Sequence, residues 1–138
     1  MIAYLDSSII LRVVLGQGDR LEEWDEIHTG VASALVQVEC LRALDRLRFQ
    51  TSLPVDQLTA LRETVFRLTE ELHVVELSPV VLDRASQPFA TPLGTLGAFH
   101  LTTAMLWREM RGEEIVMATH DVALATAARA SGLRAIGV

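Results

Sequence analysis

The sequence predicts an α/β fold: a single domain with a central, mostly parallel sheet of 4–5 short strands and helices on both faces. Three observations predict it. Short apolar runs alternate with longer stretches of helical spacing along the whole chain, the pattern of a parallel sheet covered on both sides. Two of those runs, Ile2-Ala3-Tyr4-Leu5 and Ile115-Val116-Met117-Ala118, read as buried strands, and each leads into an aspartate. The chain has 138 residues, 50% of them hydrophobic, which suits one domain (1–138) with a full aliphatic core.

The elements follow in order. Ile2–Leu5 is the first strand, and Ser7–Leu15 has helical spacing with Ser7 or Ser8 placed to cap it. Gly16-Gln17-Gly18-Asp19 is a turn, and Arg20–His28 reads as a short charged helix. Val31-Ala32-Ser33 is a second strand. Ala34–Phe49 is a helix that Ser52-Leu53-Pro54 ends, and Val55–Leu72 is a long amphipathic helix. His73–Leu77 is a third strand. Ser78-Pro79 opens another helix with proline at its favoured first position. Pro88–Gly94 is a loop, Leu96–Met110 a helix and Ile115–Ala118 the fourth strand. Asp121 caps a last helix that stops near Gly132, and Leu133–Val138 forms a short fifth strand.

Composition excludes several function classes. No stretch approaches the ~20 apolar residues of a membrane span, and the N-terminus enters a strand without a leader-like segment, so a cytoplasmic protein is expected. Cys40 is the only cysteine, which excludes intrachain disulfides and Cys-rich zinc sites. A formal net charge of −6 argues against sequence-independent nucleic-acid binding by bulk charge, though arginines could line a local groove. All 12 basic residues are arginine. Without lysine there is no Walker-type phosphate loop and no Schiff-base catalysis. Phosphoryl-aspartate enzymes and response-regulator receivers, which also place an Asp after a strand, use a lysine as well.

Asp6 and Asp121 lie beyond the carboxyl ends of strands, where open α/β sheets bind ligands, so acids distant in sequence could meet at one sheet edge and hold a divalent cation. Taken singly, each is better read as a helix N-cap than as a ligand. Glu39 lies in a helix of otherwise aliphatic character, Leu35-Val36-Val38-Cys40-Leu41-Ala43-Leu44, where a carboxylate is costly unless paired. It is either a third metal-facing acid or half of a surface pair with Arg42 or Arg46. His100 and His120 are isolated and read as structural hydrogen-bond donors. Ser8 and Thr119 carry hydroxyls placed to orient the carboxylates.

Tyr4-Leu5-Asp6-Ser7-Ser8 resembles the opening of a PIN domain, the small RNase-H-like nuclease fold. Val36-Gln37-Val38-Glu39-Cys40-Leu41-Arg42-Ala43-Leu44 is similar to that family's second acidic helix. Thr119-His120-Asp121 followed by Ala127-Ala128-Arg129-Ala130-Ser131-Gly132-Leu133 is similar to its last acid and closing helix. The resemblance covers essentially the whole chain and points to VapC-type toxins of bacterial toxin–antitoxin pairs. One position departs. Leu93-Gly94-Thr95-Leu96-Gly97-Ala98-Phe99-His100-Leu101-Thr102-Thr103-Ala104 resembles the third acidic motif, but Gly97 stands where the family has Asp. With Thr95 as cap, Gly97 falls in a first helical turn, where an acid favours the positive helix end and glycine costs up to ~1 kcal/mol against alanine. Gly97 is therefore read as replacing a lost metal-site acid. Close backbone packing, or a phosphate cradle formed with Gly94, are the alternatives.

The resemblance implies a metal-dependent endoribonuclease. Clustered carboxylates would hold Mg²⁺ or Mn²⁺ at the scissile phosphodiester, with Asp6 as direct ligand and Glu39 and Asp121 acting through water or orienting the nucleophile. It further implies a cognate antitoxin protein as partner, RNA as substrate and a homodimer, with no membrane expected; arginines such as Arg12, Arg42 and Arg46 could contact either partner, because their planar fork suits carboxylate and phosphate alike. With one of four acids missing, activity is expected to be reduced or lost. The alternative is an inactive binding module that occupies an antitoxin or RNA.

Overall fold

The computed structural model describes every residue, Met1–Val138. Its order is β1 (Ile2–Leu5), α1 (Ser7–Val14), a 3-10 turn (Glu22–Glu26), β2 (Thr29–Ser33), α2 (Leu35–Thr51), α3 (Val55–Glu70), β3 (His73–Val75), α4 (Pro79–Ala85), α5 (Thr95–Arg111), β4 (Val116–Ala118), α6 (Val122–Ala130) and β5 (Arg134–Ile136). The five strands form one sheet in the order β3-β2-β1-β4-β5. Every neighbouring pair is parallel, with Tyr4 beside Val31 and Leu5 beside Ala118. The chain builds outward from β1 to β3, then returns to add β4 and β5 on the other side. The reversal falls between β1 and β4, which opens a crevice beyond their carboxyl ends.

Strand alternation sorts the core into two layers. Ala3, Leu5, Ala32, Ala118 and Ile136 face one side, where Ile9 and Ile10 of α1, Val36 and Leu44 of α2 and Val65 of α3 pack on them. Tyr4, Val31 and Met117 face the other, against Leu101, Ala104 and Trp107 of α5 and Leu124 and Ala128 of α6. No helix is long and apolar enough to cross a membrane.

Three local expectations are corrected. The segment read as a helix over Arg20–His28 is a 3-10 turn. Its apolar residues Leu21, Trp24 and Ile27 recur every three positions, matching three residues per turn, and Trp24 and Ile27 donate to the carbonyls three residues earlier. Strand β2 starts at Thr29, earlier than Val31, because Thr29 and Gly30 pair with Ile2 and Ala3 of β1. A Cβ at Gly30 would meet Leu72 Cδ2 at 2.6 Å and Leu5 Cδ1 at 3.1 Å. The caps also differ: Asp6 holds the N-cap position of α1 and Gly94 that of α5, so Ser7 and Thr95 are the first helical residues. The remaining boundaries lie within a few residues of those read from sequence.

Candidate functional site

Asp6 sits where β1 becomes α1, and its backbone N–H continues the β1–β4 ladder to Ala118 O at 3.1 Å. Its side chain makes no capping bond to α1 and is only 6% exposed. Oδ2 instead accepts from Thr119 Oγ1 at 2.7 Å and Ser8 Oγ at 2.8 Å. Two hydroxyl donors on one oxygen offset the desolvation of a buried carboxylate and leave Oδ1 directed elsewhere. Ser8 also accepts from the His120 backbone N–H at 3.1 Å, and Thr119 Oγ1 accepts from the Asp121 N–H at 3.0 Å. The two hydroxyls thus knit the ends of β1 and β4 together around Asp6.

Glu39, on the second turn of α2, points to the same place. Ser7 Oγ donates to its Oε2 at 3.2 Å. The surface ion pair is not formed: Arg42 pairs with Asp45 at 3.0 Å, and neither Arg42 nor Arg46, both exposed, pairs with Glu39. Glu39 contacts His100 instead, with Oε1 2.7 Å from Nε2. That nitrogen is also 3.5 Å from Asp6 Oδ1. The Glu39–His100 contact is poorly aligned, so both Glu39 Oε1 and His100 Nε2 are buried without a hydrogen-bond partner of good geometry. The ligand-capable atoms of Asp6, Glu39 and His100 all lie within 4.8 Å of one another.

His100 is 2% exposed, and its Nδ1 is 2.6 Å from the Tyr4 hydroxyl, which accepts from Ser33 N–H at 3.1 Å. Burial pulls the His100 pKa down, but the Glu39 contact and the charges of Asp6, Glu39 and Asp121 outweigh it, and the net shift from 6.5 is upward. Burial, with the charges of Asp6 and Glu39 adding to it, holds Tyr4 well above the ordinary phenol range, against the Ser33 hydrogen bond. On sequence alone His100 reads as a structural donor, because α5 offers no second ligand one turn away. Its companions come from β1 and α2. The available signal was Gly97, three residues earlier on the same helix face.

Asp121 lies at the same sheet edge but outside this cluster. It is exposed and caps α6, with Oδ1 accepting from Ala123 N–H at 2.8 Å and Leu124 N–H at 3.2 Å. It reaches the cluster through its field on His100 and through Thr119. His120 is a structural donor, its Nδ1–H pointing at Gly137 O at 2.7 Å. Gly97 occupies the first turn of α5, and a Cβ there would meet Leu93 Cδ1 at 2.6 Å and Cγ at 3.1 Å. The flexible, half-buried Leu93 side chain thus covers the space an acid at 97 would use. The larger surface cavities, about 440 Å³ beside Phe89 and Phe99 and about 720 Å³ along β3, do not include the acids.

A buried and a half-buried carboxylate, a buried imidazole beside both and two buried polar atoms without aligned partners make a site whose donors fit a divalent cation. A family model described as the PIN domain matches residues 3–130. No curated protein matches the chain. Several solved structures share the fold. A toxin-antitoxin complex from Klebsiella pneumoniae is 12% identical, with 98% of this chain and 96% of that chain covered and a TM-score of 0.68. FitAB bound to an IR36 DNA fragment is 14% identical, with 99% and 94% covered and a TM-score of 0.72. PAE2754 from Pyrobaculum aerophilum is 19% identical, with 97% and 83% covered and a TM-score of 0.58.

Proposed function

The chain belongs to the PIN domain family, and from that premise we propose that it is a metal-dependent endoribonuclease toxin of a VapBC-type toxin–antitoxin pair, its activity reduced or lost through Gly97. The observation that carries this reading is the meeting of Asp6 and Glu39 beyond β1, with buried, poorly partnered oxygen and nitrogen atoms facing one point.

Asp6 offers Oδ1 as a direct ligand while Ser8 and Thr119 hold Oδ2, which fixes the carboxylate plane. Glu39 offers Oε1 across from it. Asp121, exposed at the rim, can orient a water or bind through one. Mg²⁺ or Mn²⁺ seated there would activate water and stabilise charge on the displaced phosphodiester oxygens. The exposed Arg42 and Arg46 on α2 suit RNA phosphate, because a guanidinium fork matches phosphate oxygens. A cognate antitoxin and a homodimer are proposed on the likeness to the Klebsiella pneumoniae toxin-antitoxin complex and on family resemblance. Cytoplasmic action follows from an RNA substrate.

A second reading, an inactive module that occupies an antitoxin or RNA, is favoured by one observation: Leu93 already fills the space at Gly97. Restoring the acid separates the two. Gly97→Asp requires only that Leu93 swing aside. It is expected to raise Mn²⁺-dependent RNA cleavage by at least about tenfold over the parent chain, in line with what one charge-stabilising group contributes. No gain, together with no Mn²⁺-dependent change in stability in either protein, supports the binding module.

A further inference from the structure

Gly97 and the imidazole one turn along α5 belong to the same helix face. We propose that His100 is the third protein ligand of the metal centre, a neutral nitrogen standing in for the lost carboxylate. The centre then favours a borderline-soft cation such as Co²⁺ or Zn²⁺ over Mg²⁺. This rests on the metal-centre reading above and goes beyond it in naming the ligand and the metal class.

His100 is 98% buried by accessible surface (2% exposed), and its Nε2 has no aligned hydrogen-bond partner although Glu39 Oε1 is 2.7 Å away and Asp6 Oδ1 3.5 Å away. Ligands held about 2.0–2.2 Å from one ion lie roughly 3 Å apart, which brackets those separations. The opposite ring nitrogen is held as a ligating histidine requires. Nδ1 meets the Tyr4 hydroxyl at 2.6 Å, and Ser33 N–H donates to that hydroxyl, so ring and phenol are both fixed. With Nδ1–H directed at the Tyr4 oxygen, the Nε2 lone pair faces the carboxylates. Asp6 Oδ2 is occupied by Ser8 and Thr119, whereas Oδ1 has only the Ser7 hydroxyl at 3.5 Å, which also donates to Glu39, and so remains available to the ion. The resulting set is two oxygens and one imidazole nitrogen. Imidazole suits zinc and its neighbours in the first row, whereas Mg²⁺ prefers carboxylate and water oxygens.

The test is calorimetric titration of the full chain with Co²⁺ and with Mg²⁺, for the parent protein, His100→Gln, Tyr4→Phe and Asp6→Asn. The parent is expected to bind Co²⁺ at least about tenfold more tightly than Mg²⁺. His100→Gln should remove that preference, weakening Co²⁺ binding by at least about tenfold more than it weakens Mg²⁺ binding. Tyr4→Phe keeps the ligand and removes its Nδ1 partner, so it should weaken Co²⁺ binding by about tenfold even if His100→Gln fails to fold. The Co²⁺-loaded parent should also show a hyperfine-shifted, solvent-exchangeable ring N–H by proton NMR that is absent from His100→Gln. Co²⁺ affinity unchanged in His100→Gln but lost in Asp6→Asn overturns the inference and leaves the carboxylate metal centre standing. Absence of any divalent-cation binding in the parent overturns both.

Discussion

Two hydroxyls, Ser8 and Thr119, satisfy one oxygen of the buried Asp6 carboxyl group. Thr119→Val keeps the shape and removes a 2.7 Å donor to that oxygen. It should destabilise the chain by about 1.5–3 kcal/mol in chemical denaturation and weaken metal binding by about tenfold or more. An unchanged midpoint and unchanged affinity would mean Asp6 is held by other means. Cys40 is a second residue shaped by the acids. It is fully buried, and burial, followed by the charges of Glu39 and Asp6, pushes its thiol from 9.0 up to about 12. A thiol reagent at pH 8 should leave the native chain unmodified and react once per denatured chain. The sign for stability follows. The native thiol keeps its proton after the unfolded one has lost it, so this contribution is complete below pH 9 and declines as pH rises toward about 12. At this scale the sequence disclosed the acids and the anomaly at Gly97. His100 stayed unassigned because its neighbours Asp6 and Glu39 come from β1 and α2 and meet it only through the fold.

The helices and strands show which local signals carry far. Asp6 and Asp121 follow strands in the same way, yet only Asp121 caps its helix by side chain, because Asp6 Oδ2 is claimed by Ser8 and Thr119. The observed capping role of Asp121 and its proposed role at the metal site are therefore separable. Asp121→Asn retains an oxygen for the Ala123 and Leu124 N–H groups and should leave thermal stability within about 0.5 kcal/mol, while Asp121→Ala should cost about 1 kcal/mol. Both should lower Mn²⁺-dependent cleavage in a Gly97→Asp background if the charge matters. If Asn keeps full activity, Asp121 is a cap and nothing more. Strand and helix order was readable from alternating apolar runs. The 3-10 turn was not, because Leu21-Trp24-Ile27 spacing fits a helix and a tighter turn alike. The early start of β2 was hidden because glycine is a weak strand former and Thr29-Gly30 shows no apolar run; its pairing with Ile2 and Ala3 appears only in the sheet.

On the scale of the whole molecule, the site is a product of topology. An all-parallel sheet puts every strand's carboxyl end on one edge, and the reversal between β1 and β4 keeps a helix from closing it there. This much was legible from two aspartates after two strands. The convergence of Glu39 was an open choice in the sequence, since Arg42 and Arg46 offered an equally good surface pair. The structure places Glu39 beside His100 because α2 packs across α1, bringing its second turn over Ser7. Cation binding only to the native state should stabilise it by about 2.7 kcal/mol at a hundredfold excess over the dissociation constant. Thermal unfolding with Mn²⁺ should show that gain in the parent chain and not in Asp6→Asn. The most direct measurement is anomalous scattering from crystals soaked in Mn²⁺. A peak bonded to Asp6 Oδ1 and Glu39 Oε1 is the expected result. Well-ordered carboxylates with no anomalous peak between them would contradict it.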